Sequence, residues 1–269
     1  MPELPEVETV CRAMERHLVG REIARVTTSR KRLRQPVPRT RLRALAGDRF
    51  VAVRRRAKFL LLHLESGRVV LVHLGMTGNL LFRPGGQKHD HVVFEMTTGP
   101  PLVFADSRRF GLVLVLTPAE LPTCSHLVAL GVEPLGDAFD PAYLRERCKD
   151  SARPIKNVLM DSRIVVGIGN IYASEALFRA GIRPTTPARK VGSRRLSRLV
   201  AQIKAILQEA IRKGGTTISD YMGSGDAGRF QQYLAVYGRA GENCLVCERP
   251  VRSVVLAGRS SFYCVQCQK

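Results

Sequence analysis

Four of the seven cysteines stand in two C-x2-C pairs, "CLVC" at Cys244 and Cys247 and "CVQC" at Cys264 and Cys267, with sixteen residues between the pairs. No other feature restricts the fold of this chain so strongly. Four thiolates at that separation match a tetrahedral zinc site. A disulfide pair does not suit a reducing compartment, and two independent redox dithiols would lack their usual βαβ setting. Between the knuckles, "VRSVVLAGRSSFYC" alternates and turns like a hairpin, with Gly258 at the tip and Arg259 beside it. A hairpin pinned by a metal would hold that arginine rigidly. Cys11, Cys124 and Cys148 are scattered and read as buried thiols.

The partner class follows from charge. Lys and Arg number 43 against 23 Asp and Glu, a formal charge of +20 on 269 residues. Such a surface attracts a polyanion, with nucleic acid ahead of an anionic membrane. The 45% hydrophobic content is enough for a substantial core in one large or two smaller domains. No apolar run approaches the roughly 20 residues that span a bilayer. Nor does the start carry the basic stretch and apolar core of a signal peptide. The expected location is therefore the cytoplasm.

Periodicity divides the chain. Val7, Val10, Cys11, Met14 and Leu18 fall at helical spacing, and Gly20 ends the run. Six β-rich runs follow to about residue 116: "FVAVRR", "KFLLLHL", "VVLVHLG", "HVVFEM", "PLVFA" and "LVLVL". Their close spacing predicts a sandwich or barrel rather than a parallel α/β sheet. Past Pro134 the pattern turns helical, with helices marked by Ile155, Val158 and Leu159, by Ala173, Ala176, Leu177 and Ala180, and by Leu196 through Leu207. The boundary falls between Pro118 and Asp150.

Several short stretches fit nucleic-acid contact. In "VVGIGNIYASEALF", Gly167 and Gly169 flank a turn and Asn170 sits where the next helix needs a cap, an arrangement suited to a phosphate. The clusters "RKRLR" and "RRRAK" would each, taken alone, be solvated edges, but Lys58 leads into the apolar strand "FLLLHL" and is thereby held in place. His73 and Met76 in "VHLGMTG" would ordinarily be core residues. In "ADSRRFG", no alternation buries Phe110 beside Arg108 and Arg109. An arginine next to an exposed aromatic can fill the gap left by an extruded base. At the start, helix punctuation accounts for Pro5, Glu6 and Glu8. It leaves Pro2 and Glu3 unexplained.

Taken together, "PELPEVET", "RRRAKFLLL", "HLGMTG", "KHDH", "DSRRFG", "VVGIGNIYASEALF", "VYGRAGENC" and "GRSSFYCVQCQK" resemble, nearly end to end and in order, the bacterial formamidopyrimidine-DNA glycosylases. The resemblance implies an α+β multidomain protein. It would comprise an N-terminal β-sandwich with an opening helix (2–132), a helix-two-turn-helix module (133–236) and a zinc-finger β-hairpin (237–269), with DNA across the cleft between the halves. It also implies a bifunctional glycosylase and lyase that excises oxidised purines from double-stranded DNA and then cuts the strand. After removal of Met1, Pro2 would be the nucleophile and Glu3 the acid/base, with Lys58 contacting phosphate and assisting. His73, Asn170 and Arg259 would hold the DNA backbone. Met76, Arg108 and Phe110 would enter the duplex, Arg108 facing the orphaned cytosine.

The single zinc is then structural, since four thiolates leave no open position. A nucleoid-associated monomer that does not engage membrane is expected. The segment "TTISDYMGSGDAGRFQQY" would close over the flipped base. Two other readings stay open: a sister endonuclease for oxidised pyrimidines, which would share Pro2, Glu3 and the zinc finger, and a noncatalytic zinc regulator, which would need neither Pro2 nor Glu3.

Overall fold

The computed structural model describes residues 2–216 and 229–269, so most of the segment expected to close over an extruded base lies outside the described residues. The described chain forms two compact units. One holds the residues up to Val128 together with Thr216; the other holds Ala129–Gly215 and Arg229–Lys269.

In the first unit, α1 (Leu4–Leu18) opens the chain and β1 (Ile23–Thr28) and α2 (Arg39–Arg43) follow. Then come β2 (Phe50–Arg56), β3 (Phe59–Leu64), β4 (Val69–His73), β5 (Gly78–Phe82), β6 (Asp90–Met96), β7 (Leu102–Asp106) and β8 (Leu112–Leu116), closed by α3 (Ser125–Val128). The strands make two antiparallel four-stranded sheets, in the orders β1-β6-β7-β5 and β2-β3-β4-β8. One core joins them. It takes Leu60, Leu62, Val70, Val72 and Val113 from the second sheet, Val26, Leu80, Val92, Phe94 and Phe104 from the first, and Val7, Val10, Met14 and Leu18 from α1. Each such side chain, fully buried, stabilises the fold by roughly 1.5–3 kcal/mol, and none of this core comes from the cysteine hairpin.

Two strands escape the sequence pattern, β1 and β5. Both are edges of the first sheet. The alternation of β1 is interrupted by a register shift between Ile23 and Arg25. β5 is five residues long and begins at Gly78, where an added Cβ would lie 2.3 Å from the carbonyl oxygen of Leu74.

The second unit holds α4 (Pro141–Cys148), α5 (Ile155–Leu159), α6 (Asn170–Ala180) and α7 (Ser193–Arg212), then β9 (Val251–Leu256) and β10 (Arg259–Cys264). The helical core centres on Val158, Leu159, Ala173, Leu177, Leu199, Ile203 and Leu207, which supply the apolar faces read from the sequence. Glu175 on α6 is 1% exposed, and its carboxylate accepts the backbone N–H groups of Ala235, Val236 and Tyr237. It fixes the chain as it enters the zinc-finger hairpin. No helix among the described residues is long and apolar enough to cross a membrane.

Candidate functional site

The first unit gathers its chemistry at the head of α1 and along one rim of the sandwich. Pro2 precedes Glu3, which is the N-cap of α1 and forms a capping box with Glu6. Glu3 and Glu6 are each 3% exposed. The Glu6 carboxylate accepts the Glu3 backbone N–H at 2.8 Å with one oxygen. Its other oxygen accepts the Thr216 N–H at 2.8 Å and hydroxyl at 3.1 Å. A dipole-compensating residue in sequence terms is thus a post that holds the Pro2–Glu3 end in place. Glu8 takes guanidinium bonds from Arg12 and Arg55. Burial raises its carboxyl, but those two arginines outweigh burial and hold it below the ordinary value.

Lys58 stands in the two-residue turn between β2 and β3, next to Ala57 at φ +55°. Across from this turn, His73 ends β4, paired with Phe59, and the rings of Phe59 and His73 are 4.9 Å apart. The His73 Nδ1 accepts the Gly75 N–H at 3.0 Å, so the proton of the neutral ring sits on Nε2. Burial first, then the charges of Arg34, Lys58 and His126, lower its pKa to about 4. At neutral pH His73 is an uncharged N–H donor.

Met76, Arg108 and Phe110 sit on two turns held by one carboxylate. Asp106, 1% exposed, accepts the Thr77 hydroxyl at 2.6 Å, the Arg108 N–H at 3.2 Å and the Gly111 N–H at 2.7 Å. Its carbonyl oxygen accepts the His91 Nε2–H at 2.8 Å, which leaves Nδ1 to accept the Ser29 hydroxyl at 3.1 Å. Asp90 pairs with Arg83 at 2.6 Å. The string "KHDH" therefore braces the sheet beneath these turns. Gly75 packs so closely on the second turn that an added Cβ would lie 2.5 Å from the Phe110 carbonyl carbon. Met76 and Phe110 are 39% and 48% exposed, and the Arg108 guanidinium lies 4.8 Å from the Phe110 ring centre. Two apolar side chains and an arginine stand out from rigid turns, with no protein core for them to fill.

In the second unit, Gly169 is the N-cap of α6 and Asn170 its first helical residue, so Asn170 does not cap the helix with its side chain. The amide is engaged elsewhere: Nδ2 donates to the Ser260 carbonyl at 2.9 Å and Oδ1 accepts from Lys156 Nζ at 2.5 Å. Lys156 is wholly buried, and its ammonium also donates to Ser261 Oγ at 2.7 Å and the Ser260 carbonyl at 3.3 Å. Asn170 and the strand carrying Arg259 are thereby fastened to one post. The β9–β10 turn has Ala257 at φ +47° and Gly258 at φ +72°, the primed geometry that suits a two-residue hairpin. It leaves Arg259 exposed beside the tip.

Four non-glycine residues among those described have positive φ: Ala57, Arg109, Glu248 and Ala257. Three adjoin candidate contacts, namely Lys58, the Arg108–Phe110 pair and the Arg259 tip. Strained backbone of this kind persists where surrounding structure dictates it and clusters at functional sites.

The cysteine sulfurs of Cys244, Cys247, Cys264 and Cys267 all lie within 4.8 Å of one another, with Cys247–Cys264 at 3.4 Å and Cys244–Cys267 at 3.9 Å. A tetrahedral ion with Zn–S bonds of about 2.3 Å needs sulfurs about 3.8 Å apart. The donor set and its spacing fit one structural zinc. Burial raises the Cys264 thiol, but backbone N–H groups and the neighbouring thiols outweigh it and bring it to about 7. Gln268 ties the knuckle to the turn after α6, accepting the Cys264 N–H and donating to the Ile182 carbonyl.

Sequence reasoning missed Lys156, Asp106, Glu6 as a bridge, and Gln268. For Lys156 a signal exists, since a lysine stands on the helical face marked by Ile155, Val158 and Leu159.

A β-sandwich opened by a helix, a helix-two-turn-helix module and a four-cysteine hairpin, in that order along one chain, define the class. The family models agree: Formamidopyrimidine-DNA glycosylase N-terminal domain over residues 1–113, Formamidopyrimidine-DNA glycosylase H2TH domain over 130–222, and Zinc finger found in FPG and IleRS over 241–269. The chain is 43% identical over 284 residues to the formamidopyrimidine-DNA glycosylase of Dinoroseobacter shibae, covering 100% of both chains. Its fold is similar to the MutM (Fpg) protein of Thermus thermophilus, with TM-score 0.87, 39% identity and coverage of 99% of this chain and 98% of that one. It is also similar to the Lactococcus lactis Fpg in complex with an abasic site containing DNA, with TM-score 0.91, 31% identity and coverage of 99% of each chain. This chain belongs to the formamidopyrimidine-DNA glycosylase family.

Proposed function

We propose that the protein excises oxidised purines, 8-oxoguanine opposite cytosine and ring-opened formamidopyrimidines, from double-stranded DNA and cuts the strand at the same site. The observation that carries this reading is the anchored Pro2–Glu3 end. Once Met1 is removed, Pro2 presents a secondary amine, and an α-amine titrates near ~8, so a useful fraction is neutral at cellular pH. The amine attacks C1′ of the damaged nucleotide, the C1′–N bond breaks and the base leaves with its electron pair, taking up a proton from the acid group. The attached nitrogen gives up its single N–H proton, and as the C1′–O4′ bond breaks and O4′ takes up a proton, the nitrogen lone pair closes the C1′=N iminium. That cation acidifies the C2′ proton, whose removal expels the 3′ phosphate; a second elimination expels the 5′ phosphate. No metal is required at the reacting carbon.

Glu3, next in the chain to the nucleophile and held by the Glu6 post, is the group that moves protons to the departing base and sugar oxygen and back. Lys58 binds the phosphate next to the lesion, and His73 donates Nε2–H to the backbone. Asn170 and Arg259 hold further phosphates. Met76, Phe110 and the stacked Arg108 fill the space left by the extruded nucleotide, with Arg108 donating to the unpaired cytosine. The protein works as a monomer.

The test is to incubate the protein, with its N-terminus verified, with a duplex carrying 8-oxoguanine opposite cytosine, add borohydride and locate the adduct by peptide mass spectrometry. An adduct on Pro2 is expected. Failure to trap or cut this duplex with Met1 removed and zinc present would overturn the purine reading. Trapping only on an oxidised pyrimidine would select the sister activity, and binding without chemistry on either would select a regulator.

A further inference from the structure

Between β1 and α2 runs a strap whose Leu33 and Val37 are 4% and 9% exposed and belong to the sandwich core. Arg34 lies between these two anchors with its side chain in solvent. Its backbone N–H donates to the Gly111 carbonyl at 3.1 Å, which clips the strap to the turn carrying Phe110. One residue on, Gln35 Nε2 meets His126 Nε2 at 3.2 Å. The His126 ring lies 6.0 Å from Phe59, and Phe59 lies 4.9 Å from His73. Strap, wedge turn and the Lys58–His73 rim are therefore one locality.

Several arginines of this unit pair with acids, among them Arg12 with Glu8, Arg25 with Glu95, Arg41 with Glu120, Arg54 with Glu15, Arg68 with Asp48 and Arg83 with Asp90. The Arg34 guanidinium has no hydrogen-bond or ion-pair partner among the described residues. Its charge reaches the rim, where it acts on His73 together with those of Lys58 and His126. An exposed guanidinium that no acid neutralises, adding to a locally positive field, is relieved by an incoming polyanion.

We propose that Arg34 is a further phosphate ligand, gripping the DNA backbone beside the Lys58–His73 rim from a strap clipped to the Phe110 turn. This rests on the DNA-binding reading above. Because the strap is fastened to Gly111, the phosphate held by Arg34 and the wedge at Phe110 keep a fixed spacing, so backbone engagement registers the wedge on the duplex. The contact carries no base information. It adds to affinity for damaged and undamaged DNA alike.

The experiment measures affinity for an uncleavable duplex with a tetrahydrofuran abasic analogue, and for the undamaged duplex, across a salt series. Arg34→Ala, Arg34→Lys, Lys58→Ala and, as a neighbouring control, Arg32→Ala are compared. Loss of one phosphate contact lowers the slope of log K against log salt by about 0.9. Arg34→Ala is expected to show that loss with a several-fold weaker affinity for both duplexes, Arg34→Lys to recover the slope, and Arg32→Ala to match the parent. Melting temperature is expected to stay constant, because the replaced side chain is exposed and the backbone N–H remains. A parental slope in Arg34→Ala together with a reduced slope in Lys58→Ala overturns the proposal and leaves the DNA reading intact. Parental slopes in both overturn the proposal together with that reading of the rim.

Discussion

Lys156→Met separates what holds the fold from what holds the ligand. The side chains are similar in length, so the change removes a buried ammonium and its hydrogen bonds, among them those to Asn170 Oδ1, Ser261 Oγ and the Ser260 carbonyl, and opens little space. Each lost bond to the charged ammonium costs about 1.5–3 kcal/mol. Against that stands relief from burying a charge, an effective penalty of several kcal/mol. The orphaned acceptors are few: the Ser260 carbonyl keeps Asn170 Nδ2, and Ser261 can still donate to the Arg259 carbonyl. Two terms of similar size oppose each other, so stability should change by no more than about 3 kcal/mol in either direction, a Tm shift of under ~12 °C for a chain of this size. DNA binding has no such compensation. Asn170 Oδ1 loses the post that fixes its amide, and if that one charge-assisted phosphate contact, about 1.5–3 kcal/mol, is lost, affinity falls about 10- to 100-fold. The assay pairs calorimetry with titration of a tetrahydrofuran duplex. Parental affinity in Lys156→Met would refute the post, and a collapse in Tm would refute the balance of charge burial against hydrogen bonds. Asn170→Asp gives a second handle. The ion pair with Lys156 is set against an acceptor that now faces the Ser260 carbonyl, so Tm should change little while DNA binding weakens.

His73 has a folded pKa of about 4 against an ordinary 6.5, so on acidification the unfolded chain takes the proton first. The stability it contributes is complete above pH 6.5 and is lost as pH falls toward 4, by at most about 3 kcal/mol; His73→Asn should flatten denaturant midpoints over that window, and an NMR titration centred near 6.5 would contradict the assignment. Gly75→Ala would place a methyl group against the Phe110 backbone at a φ of +64°, so a loss of at least 1–2 kcal/mol and weaker binding to abasic duplex are expected, whereas full retention of both would show that the two turns are not tightly packed. Chelation should release one zinc per chain in a metallochromic assay and abolish binding, while amide hydrogen-exchange protection of the sandwich strands persists, because that core takes no residue from the cysteine hairpin; loss of that protection would contradict this.

The zinc knuckle, its hairpin turn, α1 and the three helical faces past residue 134 were legible in the sequence because each is encoded over a few neighbouring residues: cysteine spacing, a 3.6-residue period, a glycine at a turn. Runs such as "FLLLHL" announced central strands because both faces of β3 are buried. β1 and β5 were not legible, since a register shift breaks the alternation of β1 and β5 has only five residues and starts at a glycine. The same holds inside the site. Pro2, Glu3, Lys58, Arg108 and Asn170 stand in recognisable strings, but what positions them does not. Glu6 meets Thr216 across 210 residues, Lys156 meets Ser261 across 105, and Asp106 meets Thr77 across 29. Each is a buried polar group that must find a partner once desolvated. Which partner it finds is decided only when the chain has folded and brought the distant residue within hydrogen-bond reach.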